Sequence, residues 1–263
     1  MLLEDKVVVV SGVGPGLGRE IAEAAAREGA SVVMGARREE NLRAAADAID
    51  GLVGGQAGAR VAYCRTDITN PDDCARLLDT AVEKFGRVDA LVNCAAYDTA
   101  FGGLEEADLD EWRQVFETNV FGTLGVCKAA IPHLKANGGA IVFIGSQGMF
   151  WPQVMQMAYQ SSKGSLNAAM YYLAKELGPH KIRVNTVVPS WMWGPPVEAY
   201  VDFTSQTEGI TKDEVIAGIT KNMPLGEIPT DGDIAEVVVF FCSDRARMVT
   251  MQSILVNAGE FPH

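Results

Sequence analysis

Only three histidines, His133, His180 and His263, occur in 263 residues, and none has a second His, Cys or Glu at metal-ligand spacing. With no CxxC pair either, a zinc or other transition-metal centre is not expected. The five cysteines, Cys64, Cys74, Cys94, Cys127 and Cys242, are scattered and odd in number. They read as small buried hydrophobes of a reducing compartment, not as a disulfide framework. No GxSxG occurs, so a Ser-His-Asp hydrolase lacks its nucleophile turn. Basic residues are outnumbered 22 to 34 by acidic ones, for a formal charge of −12. Without a Lys/Arg block such a chain cannot neutralise a phosphate backbone, and no nucleic-acid partner is expected. Apolar runs such as Val237 to Cys242 fall far short of the roughly 20 residues that span a bilayer. The opening Met1-Leu2-Leu3-Glu4-Asp5-Lys6 has neither the basic start nor the small-residue cleavage site of a secretion signal. No membrane partner and a cytoplasmic location are the expectation.

What is there is an ordinary globular composition, 48% hydrophobic and 21% charged, with enough apolar surface for a sizeable core. Lys6 to Val10 is a continuous β-branched run suited to a strand covered on both faces. A glycine-rich turn, Ser11 to Gly18, follows, and Leu17 to Glu28 then carries apolar residues at helical spacing. The alternation repeats: strand Ser31 to Gly35, helix Glu39 to Ile49, strand Arg60 to Cys64, helix Pro71 to Phe85, strand Asp89 to Asn93. A helix around Leu109 to Leu134, a strand at Ala140 to Ile144, a helix from Ala158 to Leu177 and a strand at Arg183 to Val188 continue it. A last helix and strand fall near Asp231 to Cys242 and Ser253 to Val256. Strands separated by helices demand right-handed crossovers and an α/β, doubly wound parallel sheet of the Rossmann type. No linker divides the chain, so residues 1–263 read as a single domain. Within it, the stretch from Pro189 to Met223 reads as irregular, with a short helix after Thr211. A segment of that length inside a compact fold is usually a lid or binding loop, here residues 189–223.

The loop Ser11-Gly12-Val13-Gly14-Pro15-Gly16-Leu17-Gly18 does not fit GxGxxG; its spacing is Gly-xxx-Gly-x-Gly across Gly12, Gly16 and Gly18. At a strand-to-helix turn, backbone N–H groups and the positive helix end converge on one point, which suits a phosphate, and glycine lets the ligand approach. A tight turn with no ligand is the structural alternative. At the end of the second strand, where an NAD protein would place a carboxylate for the ribose, the sequence reads Gly35-Ala36-Arg37-Arg38. Two guanidiniums can chelate a 2′-phosphate, so NADP(H) is expected, with NAD(H) as the alternative. Against it stands a solvated helix start in which Glu39 and Glu40 pair with the arginines.

Tyr159 and Lys163 stand at i and i+4 on one face of a helix. About 0.2 such pairs are expected by chance in a chain of this composition, so the motif does not decide alone. A phenol ionises near 10, and an adjacent ammonium favours its phenolate, making Tyr159 a proton donor or acceptor for a carbonyl or alcohol oxygen.

Taken together, Gly12-xxx-Gly16-x-Gly18, Asp67, Asn93-Cys94-Ala95-Ala96, Asn119, Ser146, Tyr159-xxx-Lys163 and Arg183-Val184-Asn185 with Pro189 resemble the short-chain dehydrogenase/reductase family. The resemblance covers essentially the whole chain, and Ser146 lies 13 residues before Tyr159, as in that family. It implies that Tyr159 is the general acid/base and that Lys163 lowers its pKa and binds the nicotinamide ribose. Ser146 would hydrogen-bond the substrate oxygen, and Asn119 would hold a water linking Lys163 to solvent. Asp67 and Ile68 would contact the adenine. Asn93 and Ala95 would border the cofactor in the central sheet, with Gly12, Gly14, Gly16, Leu17 and Gly18 at the phosphates and Pro189 and Trp191 beside the nicotinamide. Each has a plainer reading: Ser146 as a strand-end cap, Asn119 as a bridge across a helix kink.

Three departures stand out. Asn-Asn-Ala-Gly becomes Asn93-Cys94-Ala95-Ala96. The Pro-Gly turn with its later Thr becomes Pro189-Ser190-Trp191-Met192-Trp193-Gly194, which removes a hydroxyl contact to the carboxamide. Met251 stands where glycine is common. The family resemblance also puts Gln147, Trp151, Met155, Trp191 and Trp193 on the substrate cleft beside Ser146 and Tyr159. An aromatic and Met-rich lining suits a bulky apolar or aromatic secondary alcohol or ketone, of polycyclic or steroid-like size. The alternative is that these side chains pack the flap or a subunit interface. The expected activity is reversible hydride transfer between nicotinamide C4 and the carbonyl carbon of a small-molecule substrate. A catalytically idle NADP-binding sensor or scaffold is the rival, and family resemblance implies a homo-oligomer, commonly a tetramer.

Overall fold

The computed structural model describes residues 1–54, 60–152 and 155–262. Seven strands form one sheet: β1 (Val7–Ser11), β2 (Ser31–Ala36), β3 (Val61–Arg65), β4 (Ala90–Asn93), β5 (Gly139–Ile144), β6 (Ile182–Pro189) and β7 (Ser253–Val256). Their order is β3-β2-β1-β4-β5-β6-β7, and every pairing is parallel. The expected α/β doubly wound sheet is thus present. β1 is buried at all five positions, as a β-branched strand covered on both faces must be. The order reverses beside β1, and the crevice outside the carboxyl ends of β1 and β4 is where a doubly wound sheet binds ligands.

Helices α1 (Leu17–Arg27), α2 (Glu39–Leu52) and α3 (Pro71–Phe85) link the first four strands. Asn70 caps α3 by accepting from Asp72 N, Pro71 occupies the first turn, and Gly86 ends the helix at φ 78°, a start and a stop both written in the sequence. The expected continuous helix from Leu109 to Leu134 is instead α4 (Leu109–Phe116), a π-helical segment (Glu117–Gly122) and α5 (Thr123–Asn137). After β5 comes α6 (Met157–Leu177). One layer of core, with Ile21, Leu42 and Phe241, lies on one sheet face; the other, with Leu77, Leu134 and Met170, lies on the opposite face.

The stretch from Pro189 to Met223 is corrected. Besides the expected short helix, α8 (Lys212–Thr220), it holds a full helix, α7 (Pro195–Glu208), which starts at paired prolines. Proline in the first turn fits a helix, because its missing N–H has no intrahelical partner there. Val197, Val201, Val215, Met223 and Ile228 give this flap its own small core. α9 (Asp231–Cys242) closes the fold, and α8 and α9 open on reciprocal Thr–acid caps, Thr211/Glu214 and Thr230/Asp233.

Candidate active site

Backbone geometry shapes the first half of the site. Gly12, at φ 102°, donates to Gly35 O at 2.8 Å. A Cβ at Gly12 would lie 2.1 Å from Ala95 N, and one at Gly18 would lie 2.2 Å from Gly12 O. Both positions therefore need glycine. Gly16 has only the Asp231 carboxylate near its missing Cβ, at 3.1 Å, and Gly14 has nothing within 4 Å. The loop borders a groove of about 670 Å³ lined by Gly12 to Gly18, Arg37, Arg38, Asp67, Ile68 and Ala95 to Asp98. An extended dinucleotide fits that cradle, because its floor is backbone that no side chain fills. Of the expected phosphate and adenine contacts, Gly12, Gly14, Gly16, Leu17, Gly18, Arg37, Arg38, Asp67, Ile68 and Ala95 all lie on this groove.

Arg37 and Arg38 are exposed on the groove wall, and Glu39 pairs with Arg43 at 3.2 Å. Among the described residues neither Arg37 nor Arg38 has an ion pair, so the competing Glu39/Glu40 pairing is absent there. Asp67 is held by its own loop: its Oδ1 accepts from Thr69 N at 3.0 Å and Thr69 Oγ1 at 2.7 Å, and its N–H donates to Asp73 at 2.8 Å. That backbone hydrogen bond, helped by Arg76, keeps the Asp73 carboxyl below its ordinary value. Asp73 is a supporting residue that sequence reasoning missed. Asn93 is turned inward, where Nδ2 donates to Cys127 Sγ at 3.5 Å.

The second half of the site is built from side chains. Lys163, 2% exposed, donates from Nζ to Ile144 O at 2.8 Å and lies 5.5 Å from the centroid of the Tyr159 ring. Burial lowers the Lys163 ammonium to about 8 against the opposing pull of Cys94 and Asp98. Burial raises the Tyr159 phenol above its ordinary value, and Asp98 and Cys94 add to that. In the free protein the proton therefore rests on the phenol, and only added positive charge beside the ring would draw it off. Asp98, exposed on the groove rim, bears on both groups; its only sequence signal is a carboxylate five residues past Asn93.

Asn119 lies in the π-helical segment and is fully buried. Its Oδ1 accepts from Tyr97 N at 2.6 Å, and its Nδ2 donates to Tyr97 O at 3.0 Å and Ser162 Oγ at 2.9 Å. Ser162 Oγ then donates to Tyr159 O at 2.6 Å. Asn119 thus ties the loop after β4 to the turn of α6 that carries Tyr159, and a π segment puts an extra residue there to do it. Ser146 follows β5 and stands before a short 3₁₀ turn, Gln147–Met149. Among the described residues, neither the Ser146 nor the Tyr159 hydroxyl has a hydrogen-bond partner.

The expected substrate contacts divide. Gln147 is buried, and its amide is taken up by Asn257 at 2.7 Å and Glu260 at 3.0 Å. Trp191 packs on Tyr200 with centroids 5.2 Å apart, and Trp193 joins it against the flap core. Trp151 and Met155 are exposed, Trp151 tilted against Phe261 at 5.2 Å. Pro189 ends β6, buried.

The chain matches the family described as enoyl-(acyl carrier protein) reductase over residues 12–260. It is 37% identical over 258 residues to an uncharacterized oxidoreductase of Methylorubrum extorquens, covering 98% of each chain. It is 30% identical to a 7alpha-hydroxysteroid dehydrogenase of Escherichia coli over 98% of this chain and 94% of that one. Its fold superposes on a variant of actinorhodin polyketide ketoreductase with NADPH at a TM-score of 0.87 and 29% identity, covering 98% of each chain. A seven-stranded parallel sheet, a glycine cradle at its switch point and agreement along nearly the whole length have one common reading: the chain belongs to the short-chain dehydrogenase/reductase family, oxidoreductases that use a nicotinamide cofactor.

Proposed function

We propose that the protein moves a hydride between nicotinamide C4 and the carbonyl carbon of a bulky, apolar or aromatic secondary alcohol or ketone. The observation that carries this is the half-buried Tyr159 ring 5.5 Å from the buried Lys163 ammonium, both within the electrostatic reach of Cys94 and Asp98, which line the glycine-floored groove. When bound, the nicotinamide supplies or accepts the hydride. The chain's own part is the proton: Tyr159 Oη donates it to the nascent alkoxide in reduction and takes it back in oxidation, and Ser146 Oγ holds the substrate oxygen. Lys163 lends positive charge beneath the ring, and Asn119 holds α6 and the loop after β4 in register.

Arg37 and Arg38, without ion pairs among the described residues, support NADP(H) over NAD(H). Exposed Trp151 and Met155 support an apolar substrate, whereas Trp191 and Trp193 pack the flap's own core. The free thiols suit a reducing cytoplasm. Exposed Phe121 and Tyr172 support self-association, which light scattering of the purified protein tests.

The test is Tyr159→Phe. It keeps the ring and its packing, so NADPH should still bind, while ketone-dependent oxidation of NADPH should fall by about 10² to 10⁴. Unchanged turnover would remove Tyr159 from the role. A wild-type protein that binds NADPH yet turns over no ketone or alcohol would make it a cofactor-binding sensor.

A further inference from the structure

The end of the chain folds back onto the substrate side of the site through a cluster of polar side chains. Glu260 Oε2 accepts from Ser190 Oγ and, at 3.0 Å, from Gln147 Nε2. Gln147 Oε1 accepts from Asn257 Nδ2 at 2.7 Å. Asn257 also donates to Phe261 O at 2.9 Å, and its Oδ1 accepts from Gly259 N at 3.0 Å, which bends the tail. Beside this cluster the Phe261 ring meets Trp151. Gln147 and Asn257 are 2% and 4% exposed, so they depend on these partners, since a buried amide stripped of its hydrogen bonds is costly. The segments joined follow three adjacent strands, β5, β6 and β7. One carries Gln147, the residue after Ser146, and another Ser190, the residue after β6.

We propose that Glu260 is a positioning residue for the substrate oxygen: one carboxylate oxygen ties the Ser146 turn to the flap base and fixes both relative to Tyr159. This rests on the hydride-transfer reading above. A carboxylate suits the task because two donors converge on a single oxygen, and charged acceptors make the shorter, stronger bonds. Ser190 belongs to the same device: its hydroxyl exists because the usual glycine of that turn has been replaced. Misplacing a substrate-orienting group by about 1 Å slows chemistry by up to about 10²-fold, while a cofactor held at the glycine groove keeps its contacts.

The experiment compares wild type, Glu260→Ala, Glu260→Gln and Ser190→Ala by hydrogen exchange, NADPH titration and steady-state kinetics. Glu260→Ala should speed exchange of the 145–151 and 190–194 segments and lower kcat about tenfold, while the NADPH dissociation constant stays within about twofold. Glu260→Gln keeps an acceptor oxygen and should recover most of both. Ser190→Ala should loosen the 190–194 segment alone, which keeps a readout if Glu260→Ala folds poorly. Unchanged exchange in both segments, an equal loss of NADPH affinity, or a Gln variant as impaired as Ala would overturn the proposal. If wild type transfers no hydride at all, the functional reading fails, and exchange still decides whether Glu260 ties the two segments.

Discussion

The two halves of the site are made of different material. The groove from β1 to β4 is drawn by backbone: Gly12 against Ala95, Gly18 against Gly12, and main-chain bonds from Gly12 and Val13 to Gly35 O. The region after β5 and β6 is held by side chains that reach across the fold, Trp191 on Tyr200, Trp151 on Phe261, Gln147 on Glu260 and Asn257. A backbone surface has few ways to vary, because any added atom collides with the main chain. A side-chain surface can be repacked residue by residue. That is a physical reason for one fold to keep its cofactor site while its relatives act on different substrates.

The contrast breaks most visibly at glycine. At Gly12 a methyl would meet Ala95 N at 2.1 Å and would sit on a φ of 102°. Neither strain can relax, so Gly12→Ala should cost about 3 kcal/mol or more in urea unfolding and abolish NADPH binding in whatever folds. Gly14→Ala meets nothing within 4 Å and should stay within about 0.5 kcal/mol. Equal effects at the two positions would mean that the loop is not held by its backbone.

The same contrast decides what the sequence discloses. β-branched runs, the glycine spacing and the Tyr159/Lys163 register are local signals, and the strands of the sheet fall within a residue or two of where those signals put them. The π segment around Asn119 is different: one residue inserted into a helix leaves the apolar spacing on either side nearly intact, so α4 and α5 read as one helix. The flap misleads for another reason. Pro195 and Pro196 look like breakers unless the helix is known to begin at them. Gln147 and Glu260 lie 113 residues apart, and no local pattern announces that they meet.

Next in size comes the arginine pair. Arg37→Ala/Arg38→Ala should weaken NADPH by about 10- to 100-fold, the worth of one or two charge-assisted hydrogen bonds, and leave NADH within about threefold. Cofactor fluorescence titrations measure both, and equal losses for the two would assign the arginines to general charge. Smaller again is a pH effect where the halves meet. Lys163 titrates at about 8; it is an ammonium below that pH and neutral above, so it attracts an anionic cofactor only on the acid side. Affinity for NADPH should therefore be flat below about 7, weaken as pH rises through 8, and lose this dependence in Lys163→Met. Cys94, pushed up to about 11 by burial, and Tyr159, raised, stay protonated across that window.

The smallest effect tests whether a left-handed backbone position away from the site tolerates the side chain that the Gly12 loop does not. Met251 adopts a left-handed φ of 62° just before β7, beside the start of β6 and so at the end of the sheet opposite the site. A side chain there costs about 1–2 kcal/mol, while glycine adds about 0.5–1 kcal/mol of unfolded-state entropy. Met251 is 37% exposed, and its N–H bond to Val184 O, 2.9 Å, belongs to the backbone and survives substitution. Met251→Gly should therefore stabilise the protein by roughly 0.5–1 kcal/mol in urea unfolding, with NADPH affinity unchanged. A loss of stability instead would mean that the Met251 side chain packs well enough to outweigh its strain. Side-chain contacts would then specify that end of the sheet as tightly as the backbone specifies the Gly12 loop.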